Sequence, residues 1–356
     1  MNPFLITTVS VTKIRKPLIQ PFRTALGTHE FLENVLIRFG LSDGTQGCGE
    51  AAVATHITQE TVEQTIRNLH SVGKSLIGRD MGDLLKISNE LHERLKDNKC
   101  ALAAIEMALF DAWTRQKKIP LWKYFGPRPK TLTTDMTIVI ADLKETAHAI
   151  QKFTRQGFRI FKVKIGQDED LDFERLVLVK KLAPRATIYL DANQGYTAKQ
   201  TLRLLKRLEY AGIRPALIEQ PVPRADWEGL KAVTRSTKIL VCADESARSY
   251  ADAAKIIKEK AAGVINIKLM KTGLVESARI ARLAHTHGVG LMIGGMMETS
   301  LAMTAAAHLA AGLGIFKYVD LDTPFFIQNG WKNNPYLNSS GKYDLSKAKA
   351  GIGVTK

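Results

Sequence analysis

Eight short apolar runs follow one another beyond about residue 130, and each ends at a polar residue or a glycine. The end positions are separated by 27, 27, 28, 25, 24, 26 and 26 residues. That interval matches one strand followed by one helix in a parallel β/α barrel. An open doubly wound sheet gathers its polar residues at one switch point, whereas a barrel places them around a whole rim. The spacing therefore predicts an α/β barrel whose strands end at Thr137, Lys164, Asp191, Glu219, Asp244, Lys268, Gly294 and Asp320.

The chain before these runs has a different pattern. Its first hundred residues contain short alternating runs, the turn Asp43-Gly44 and then helical stretches, which predicts an α+β lobe. Pro127 and Pro129 end the helical pattern, because proline lacks an N–H donor and restricts the residue before it. We expect a capping domain at 1–128 and a barrel at 129–324, with the loop-rich segment 325–356 returning to the capping domain.

The formal net charge of +16 raises the question of an anionic partner. The basic residues are spread along the whole chain without an RRM, KH or zinc-finger signature, which argues against nucleic-acid binding. A non-catalytic protein that binds an anionic polymer is the alternative from a different class. No run of about 18 apolar residues predicts a membrane span. The cysteines, at Cys48, Cys100 and Cys242, lack disulfide-type or metal-type spacing and favour a reducing cytoplasm. Whether the chain forms a homo-oligomer is left open.

Carboxylates end three consecutive runs, at Asp191, Glu219 and Asp244. With no histidine or cysteine among them, they form a hard oxygen set, which suits one Mg²⁺ ion that keeps positions open for substrate oxygens. A single acidic residue after a strand is often a helix N-cap or a surface charge, and that alternative applies to each of the three. Their common position in the repeat favours the metal site.

Two lysines, Lys162 and Lys164, lie two residues apart in one apolar run, so both side chains project to the same face. Facing the barrel interior, the two ammonium groups and their burial disfavour the charged form, so we expect a lowered pKa and assign Lys164 as a general base. A snorkelling pair on an edge strand is the alternative. Lys268 lies four strands further on, which places it across the barrel from Lys164.

The metal and the lysines together predict proton transfer beside a carboxylate. A Mg²⁺ ion bound to a substrate carboxylate stabilises the enediolate that forms when the adjacent C–H is deprotonated. With Lys164 and Lys268 on opposite faces of that carbon, one lysine removes a proton and the other returns one. The expected outcome is inversion by a 1,1-proton transfer.

The sequence resembles the enolase superfamily, in its muconate-lactonising-enzyme subgroup, through five motifs that span the predicted barrel. They are KVK at 162–164, DANQ at 191–194, EQP at 219–221, ADES at 243–246 and NIKLMK at 266–271. The resemblance covers essentially the whole chain and implies a modified (β/α)7β barrel with an N-terminal α+β capping domain. It also implies the metal ligands Asp191, Glu219 and Asp244, the bases Lys164 and Lys268, Lys162 as pKa modulator and carboxylate contact, and Asn193 and Glu245 as supporting residues beside the ligands.

Asp320 and Asp322, in the run VDLDTP, bear on the substrate. If the strand continues, both project to one side and would hold an ammonium group, whereas the alternative is a capping turn before Pro324. Dipeptide epimerases of the subgroup have such a pair for the free amino terminus of the substrate. That resemblance implies epimerisation of the C-terminal residue of a dipeptide. Muconate cycloisomerases, o-succinylbenzoate synthases and N-acylamino acid racemases of the same subgroup are the alternatives, since their substrates lack that cation.

The side chains of the expected dipeptide are less constrained. In the Ala-Glu epimerases that this chain resembles, a capping-domain arginine pairs with the glutamate carboxylate, but Gly27 occupies the matching position in PFRTALGT. A buried carboxylate without a cation is costly, so we expect a small first residue and a small or apolar second residue. Ala-Glu is retained as an alternative if Arg23, Lys13 or another basic residue compensates. Further expected substrate contacts are Phe22, Thr137, Met296 and Met297, although core packing is an alternative for the methionines.

Overall fold

An antiparallel sheet of three strands begins the described part of the chain, which is residues 4–354 of the computed structural model. Its strands are β1 (Ile6–Thr24), β2 (Gly27–Leu41) and β3 (Gln46–Ala52), arranged in that order. The turn Asp43-Gly44 joins β2 to β3, and Gly44 has a φ of 86°, which favours glycine. The Asp43 carboxylate supports the turn by accepting the backbone N–H of Thr45 at 2.9 Å.

Helices follow the sheet and cover one of its faces. They are α1 (Thr55–Thr58), α2 (Val62–Ser75), a 3₁₀ helix (Met81–Asp83), α3 (Leu84–Arg94), α4 (Lys99–Gln116) and α5 (Trp122–Phe125). The apolar pattern that predicted α4 has a physical basis, since nearly all of its side chains are buried. A Cβ at Gly47 or Gly49 of β3 would collide with the backbone of α4, so glycine permits this close contact.

The runs that end in polar residues form one sheet of eight parallel strands, whose neighbours follow chain order. After a short strand, β4 (Leu132–Thr133), they are β5 (Met136–Ile138), β6 (Ile160–Lys164), β7 (Thr187–Asp191), β8 (Leu217–Glu219), β9 (Leu240–Ala243), β10 (Val264–Lys268), β11 (Gly290–Gly294) and β12 (Tyr318–Asp320). The helices between them are α6 (Leu143–Gln156), α7 (Glu169–Leu182), α8 (Ala198–Tyr210), α9 (Trp227–Ser236), α10 (Tyr250–Glu259), α11 (Leu269–Thr286) and α12 (Ser300–Leu313). This alternation confirms the predicted (β/α)7β barrel. Among residues 4–354, no helix is long and apolar enough to cross a membrane.

The strands end close to the predicted positions. Asp244 directly follows β9 and Thr137 lies inside β5, whereas the other six predicted residues each end a strand. Because side chains alternate along a strand, residues an even number of positions earlier also point inward. They pack together inside the barrel as one cluster of Tyr189, Leu217, Cys242, Val264, Met292 and Tyr318. The polar rim therefore lies above a packed interior layer.

The barrel closes between β5 and β12 through hydrogen bonds that include side chains. The backbone N–H of Asp135, just before β5, donates to a carbonyl of β12 at 3.0 Å. The backbone N–H of Leu321 donates to Thr134 Oγ1 at 2.7 Å, and that of Thr137 donates to Asp322 Oδ2 at 2.6 Å. Asp322 therefore helps to hold this seam together.

The C-terminal segment contacts both the barrel and the capping helices. A 3₁₀ helix (Thr323–Phe326) leads into it, and β13 (Lys342–Tyr343) pairs with β4. The backbone N–H of Ile352 donates to Asp111 Oδ1 of α4 at 2.7 Å, and its carbonyl lies 2.9 Å from His308 Nε2 of α12. No helix occurs at residues 327–354. The predicted domain limits at 128 and 324 remain predictions.

A buried carboxylate of the capping domain, Glu106 of α4, connects that domain to the barrel. Its Oε2 accepts the backbone N–H groups of Leu274 and Val275 at 2.5 and 3.1 Å, after the non-helical Gly273 inside α11. His92 lies 3.2 Å from Glu106 Oε1 and, through its other ring nitrogen, 3.2 Å from a carboxylate oxygen of Glu276. Burial lowers the pKa of His92, but hydrogen bonds and charges from the two glutamates outweigh it and raise the pKa to about 9.

We expect His92→Gln to destabilise the protein in a pH-dependent way. A histidine whose folded pKa lies above its unfolded value stabilises the fold fully below that unfolded value, 6.5, and the stabilisation is lost as the pH rises through about 9. The variant should lose about 2 kcal/mol at pH 6 and much less at pH 10. Urea unfolding at both pH values measures this, with His70→Gln on the exposed side of α2 as the control. A loss of equal size at both pH values contradicts the prediction.

Candidate active site

Three carboxylates lie side by side at the ends of neighbouring strands. Asp191 ends β7, Glu219 ends β8 directly beside it in the strand register, and Asp244 follows β9. All three side chains are fully buried, so the surface-charge alternative does not hold. The N-cap alternative also fails, because α8, α9 and α10 begin after Thr197, Asp226 and Ser249.

Lys162 and Lys164 point into the barrel, where both are buried, so neither is a snorkelling residue. The Nζ of Lys162 lies 2.7 Å from Glu219 Oε2, 2.7 Å from Asp320 Oδ2 and 3.0 Å from Asp191 Oδ2. The Nζ of Lys164 lies 2.6 Å from Asp191 Oδ2. The two lysines therefore occupy the space between carboxylates of three strands.

Asp244 has a lysine on each side. Lys268 Nζ lies 2.7 Å from Asp244 Oδ2, and Lys271 Nζ lies 2.7 Å from Asp244 Oδ1. Lys271 also donates to the backbone carbonyl of Asn266 at 2.8 Å. The sequence analysis assigned no role to Lys271, although it ends the motif NIKLMK three residues after Lys268.

The ion pairs set the protonation of these groups. Burial raises the pKa of Asp191, but the charges of Lys162 and Lys164 outweigh it and lower the pKa to about 2. Burial and the charge of Asp191 raise the pKa of Glu219 to about 7. Burial lowers the pKa of Lys162, yet the surrounding carboxylates raise it well above its usual value. The expected depression by a second ammonium group is therefore absent at Lys162, because the carboxylates surround it.

The carboxylate set fits a divalent metal. Asp191, Glu219 and Asp244 offer only oxygen ligands, as Mg²⁺ prefers, and they are buried where their charge needs a cation. Within the described chain, Glu219 Oε2 has no hydrogen-bond partner, since its contact with Lys162 lacks hydrogen-bond geometry. These residues would hold the ion.

Two polar residues lie beside the triad, where the sequence motifs placed them. The backbone N–H of Asn193 donates to Asp191 Oδ1 at 2.9 Å, and its side-chain oxygen accepts a hydrogen bond from Lys164 at 3.0 Å. Asn193 Nδ2 also donates to Glu245 Oε1 at 3.4 Å. Burial and the charges of Asp244 and Asp191 raise the pKa of Glu245 to about 8. Asn193 thus links one base candidate to the ligand set.

A cavity of about 500 Å³ lies between this rim and the capping domain. Both base candidates, Lys164 and Lys268, line it. The other predicted residues that line it are Phe22, Thr137, Asn193, Met296, Met297, Asp320 and Asp322. Gly27 does not line it: this residue begins β2 directly after the turn at 25–26, and no atom would come within 4 Å of a Cβ there.

Asp320 and Asp322 both face the cavity from the end of β12. Asp322 makes no side-chain cap to the following 3₁₀ helix, so the capping-turn alternative does not hold. Its carboxylate instead accepts the backbone N–H of Thr137. Two carboxylates from the end of one strand therefore line the same cavity as the two lysines.

The basic residues that were considered as partners for a substrate carboxylate have other contacts. Arg23 lies 3.1 Å from Glu145, and Lys13 lies 2.8 Å from Glu33. Neither lines the cavity, whereas Arg15 does, with its guanidinium 3.9 Å from the ring centroid of Phe31. Periodicity could not identify Arg15, because its role depends on how the long β1–β2 hairpin curves over the barrel.

Two residues that hold the loop of Met296 and Met297 in place, Asn34 and Glu50, were not predicted from the sequence. Asn34 Nδ2 donates to the Met297 carbonyl at 2.9 Å and to Glu50 Oε1 at 2.6 Å. Glu50 in turn accepts the backbone N–H of Thr299, the N-cap residue of α12, at 2.9 Å. The indication of this contact in the sequence was the presence of two polar residues, Asn34 and Glu50, in the strands of the capping sheet.

Comparison with known families accounts for nearly all of the chain. Residues 6–126 match the family described as the mandelate racemase/muconate lactonizing enzyme N-terminal domain. Residues 145–356 match the family described as enolase C-terminal domain-like. The capping sheet and helices fall in the first match, and the cavity-facing lysines and carboxylates fall in the second.

Individual proteins are similar over the full length. A hydrophobic dipeptide epimerase of Citrifermentans bemidjiense is 45% identical, covering 99% of this chain and 98% of that protein. The substrate-liganded structure of the L-Ala-D/L-Glu epimerase from Bacillus subtilis is 33% identical with a TM-score of 0.95, covering 98% of each chain. The dipeptide epimerase of Enterococcus faecalis, complexed with Mg and L-Leu-L-Tyr, is 30% identical with a TM-score of 0.93, covering 99% of this chain and 100% of that chain. The chain is thus an isomerase that belongs to the mandelate racemase/muconate lactonizing family of the enolase superfamily.

Proposed function

We propose that this protein is a Mg²⁺-dependent dipeptide epimerase that inverts the α-carbon of the C-terminal residue. The observation that supports this most is the placement of Lys164, Lys268 and the pair Asp320/Asp322 around one cavity. Two bases and an ammonium-binding pair are what a free dipeptide requires. The similarity to dipeptide epimerases crystallised with their dipeptides adds support.

Asp191, Glu219 and Asp244 would hold one Mg²⁺ ion at the rim. When bound, the ion would supply Lewis-acid stabilisation of the negative charge that develops on the substrate carboxylate as the α-proton leaves. Lys162, buried next to two of these carboxylates, would contribute a fixed positive charge near the same carboxylate group. The lysine ammonium groups already lie in contact with these carboxylate oxygens, so the carboxylates accommodate positive charge beside them.

The two lysines would transfer the proton. Lys164 ends β6 and Lys268 ends β10, four strands apart in a barrel of eight, so they approach a bound α-carbon from opposite sides. In one direction Lys164 as the free amine accepts the α-proton, and Lys268 as ammonium delivers a proton to the other face. In the reverse direction their roles exchange. Inversion follows because the proton leaves one face and arrives at the other.

The amino terminus of the dipeptide would bind to Asp320 and Asp322. Charge-assisted hydrogen bonds to two carboxylates favour an ammonium group over a neutral acyl amide. Cycloisomerases, o-succinylbenzoate synthases and N-acylamino acid racemases remain the alternative within the family. For their substrates, which lack an ammonium group, the pair would be two buried carboxylates whose one nearby cation, Lys162, is shared with Asp191 and Glu219, which is unfavourable.

The second side chain of the dipeptide is proposed to be apolar. The capping-domain residues that line the cavity include the apolar Phe22, Phe31, Ile57 and Val62, beside charged and polar residues such as Arg15, Glu30 and Glu33. Arg23 and Lys13 do not line this cavity and are paired with Glu145 and Glu33, so neither supplies the cation that a glutamate side chain would need. Arg15 is the cation that could still accept such a group, which keeps Ala-Glu as the secondary substrate.

Removal of either base candidate should abolish epimerisation. We expect Lys164→Ala and Lys268→Ala each to reduce kcat by at least about 10³-fold, because neither proton transfer step has a substitute. Chelation of Mg²⁺ should have a similar effect that added Mg²⁺ reverses. Formation of the opposite epimer of the dipeptide, followed by chiral chromatography, measures both. The exposed Lys238→Ala serves as control, and full activity of either active-site variant excludes the two-base assignment.

Asp320→Asn should discriminate between substrates with and without an ammonium group. We expect kcat/KM for a dipeptide to fall at least about 100-fold, since one charge-assisted contact is lost. Any turnover of the N-acetylated dipeptide should change much less. Steady-state kinetics with the two substrates in parallel gives the ratio. Equal losses for both would favour the N-acylamino acid racemase alternative.

Arg15→Gln should change the choice of second residue. We expect the wild-type protein to prefer L-Ala-L-Phe to L-Ala-L-Glu by at least about tenfold in kcat/KM, and the variant to lose the remaining activity on L-Ala-L-Glu while it keeps that on L-Ala-L-Phe. Lys13→Gln, whose lysine lies outside the cavity, is the matched control. A preference of the wild-type protein for L-Ala-L-Glu would refute the apolar assignment.

A further inference from the structure

Asp135 is a buried residue whose carboxylate receives no hydrogen bond from the part of the chain that the structure describes. It lies two residues before Thr137, at the start of β5, and its relative exposure is 0%. Within residues 4–354, neither of its carboxylate oxygens accepts a hydrogen bond. An ionised carboxylate in this situation is strongly unfavourable unless a positive partner is present. Its surroundings should therefore include a partner other than the protein's own donors.

The carboxylate of Asp135 belongs to a compact set with Asp320 and Asp322. One oxygen from each of the three lies within 4.8 Å of the others. The ammonium group of Lys162 contacts Asp320 at 2.7 Å, but it is shared with Asp191 and Glu219 at 3.0 and 2.7 Å. Three carboxylates thus face one divided positive charge.

The geometry and charge of this set suit a monovalent cation. Oxygens that lie within 4.8 Å of one another can all reach a central ion at about 2.8 Å or less, which leaves room for an alkali cation. The three side chains are at most 8% exposed, and a small divalent ion gives up its waters reluctantly. The nearby Lys162 further disfavours a second divalent charge.

We propose that Asp135, Asp320 and Asp322 form an alkali-cation site, filled by K⁺ or Na⁺ before the substrate arrives and vacated when the substrate ammonium group binds. Asp320 and Asp322 line the cavity, whereas Asp135 lies behind them and does not. The cation would bind all three carboxylates, and the substrate ammonium group would bind Asp320 and Asp322. The two would therefore compete for the same negatively charged oxygens. Only the displacement step rests on the proposed dipeptide function.

A shared proton is the competing way to neutralise the set. Burial and the charges of Asp320 and Asp322 raise the pKa of Asp135 well above its usual value. A proton, or a water molecule, would make the protein insensitive to which monovalent cation is present. Sensitivity to the kind of cation at constant ionic strength therefore separates the two.

The first experiment needs no substrate. The thermal midpoint of the Mg²⁺-loaded protein is compared in KCl, NaCl and tetramethylammonium chloride at equal ionic strength, the last cation being too large for the site. We expect a midpoint about 2 °C higher in KCl or NaCl, as ligand binding to the folded state predicts. Asp135→Asn should remove the difference and the exposed Asp97→Asn should keep it. Equal midpoints in all three salts, or an unchanged difference in Asp135→Asn, overturn the cation site.

The second experiment tests displacement by the substrate. Calorimetric titration should give a Kd for L-Ala-L-Phe several-fold weaker in KCl than in tetramethylammonium chloride, whereas the Kd of the N-acetylated dipeptide should be the same in both. Equal dipeptide affinities in both salts overturn the displacement. Absence of dipeptide binding in either salt instead refutes the dipeptide function, while the thermal comparison still decides the cation site.

A third measurement removes the dependence on a variant that fails to fold. Crystals of the wild-type protein grown in thallium(I) acetate should show an anomalous peak between the three aspartates. A map without that peak overturns the cation site.

Discussion

Buried opposite charges at the barrel rim are the constraint on which the rest of the site depends. Lys162 contacts carboxylates of β7, β8 and β12, and Asp244 lies between two lysines. Removal of one member of such a network leaves another charge buried and unpaired, which commonly costs 3–5 kcal/mol. The same network keeps the carboxylates close together against their mutual repulsion. The site that we propose for a metal and a carboxylate substrate is in this way kept assembled by the lysines.

The capping domain contributes carboxylates of another kind, which stabilise the start of barrel helices. Glu50 accepts backbone N–H groups at the N-terminus of α12, and Glu106 does so within α11 after Gly273. An anion at a helix N-terminus satisfies free donors and interacts favourably with the helix dipole. Because the Met296–Met297 loop leads into α12, the capping sheet fixes one wall of the cavity as well as covering it.

The spacing of strand ends allowed much of the rim to be predicted from sequence, because a parallel barrel brings consecutive strand ends together. The three carboxylates, both base candidates and Asp320 lie at strand ends of that period, whereas Asp322 was predicted from its position two residues after Asp320. Lys271, Asp135 and Arg15 could not be found in this way, since their contacts come from residues distant in sequence. The same limit applies to Arg23, whose partner Glu145 lies 122 positions away. Local pattern fixes which strand a residue ends, whereas the choice of ion-pair partner depends on the packed structure.

At the seam between β5 and β12, a single residue both closes the barrel and lines the cavity, two properties that usually belong to different residues. Asp322 accepts a backbone hydrogen bond that closes the barrel, and it also faces the cavity. A substitution of Asp322 that changes the cavity therefore also weakens the attachment of β5, the first strand of the barrel, to β12, the last. Phe31 and Ile57, which line the same cavity from the capping domain, have no part in closing the barrel. The fold should therefore tolerate variation in the capping-domain wall of the cavity more readily than variation at Asp322, since only the latter is tied to the closure of the barrel.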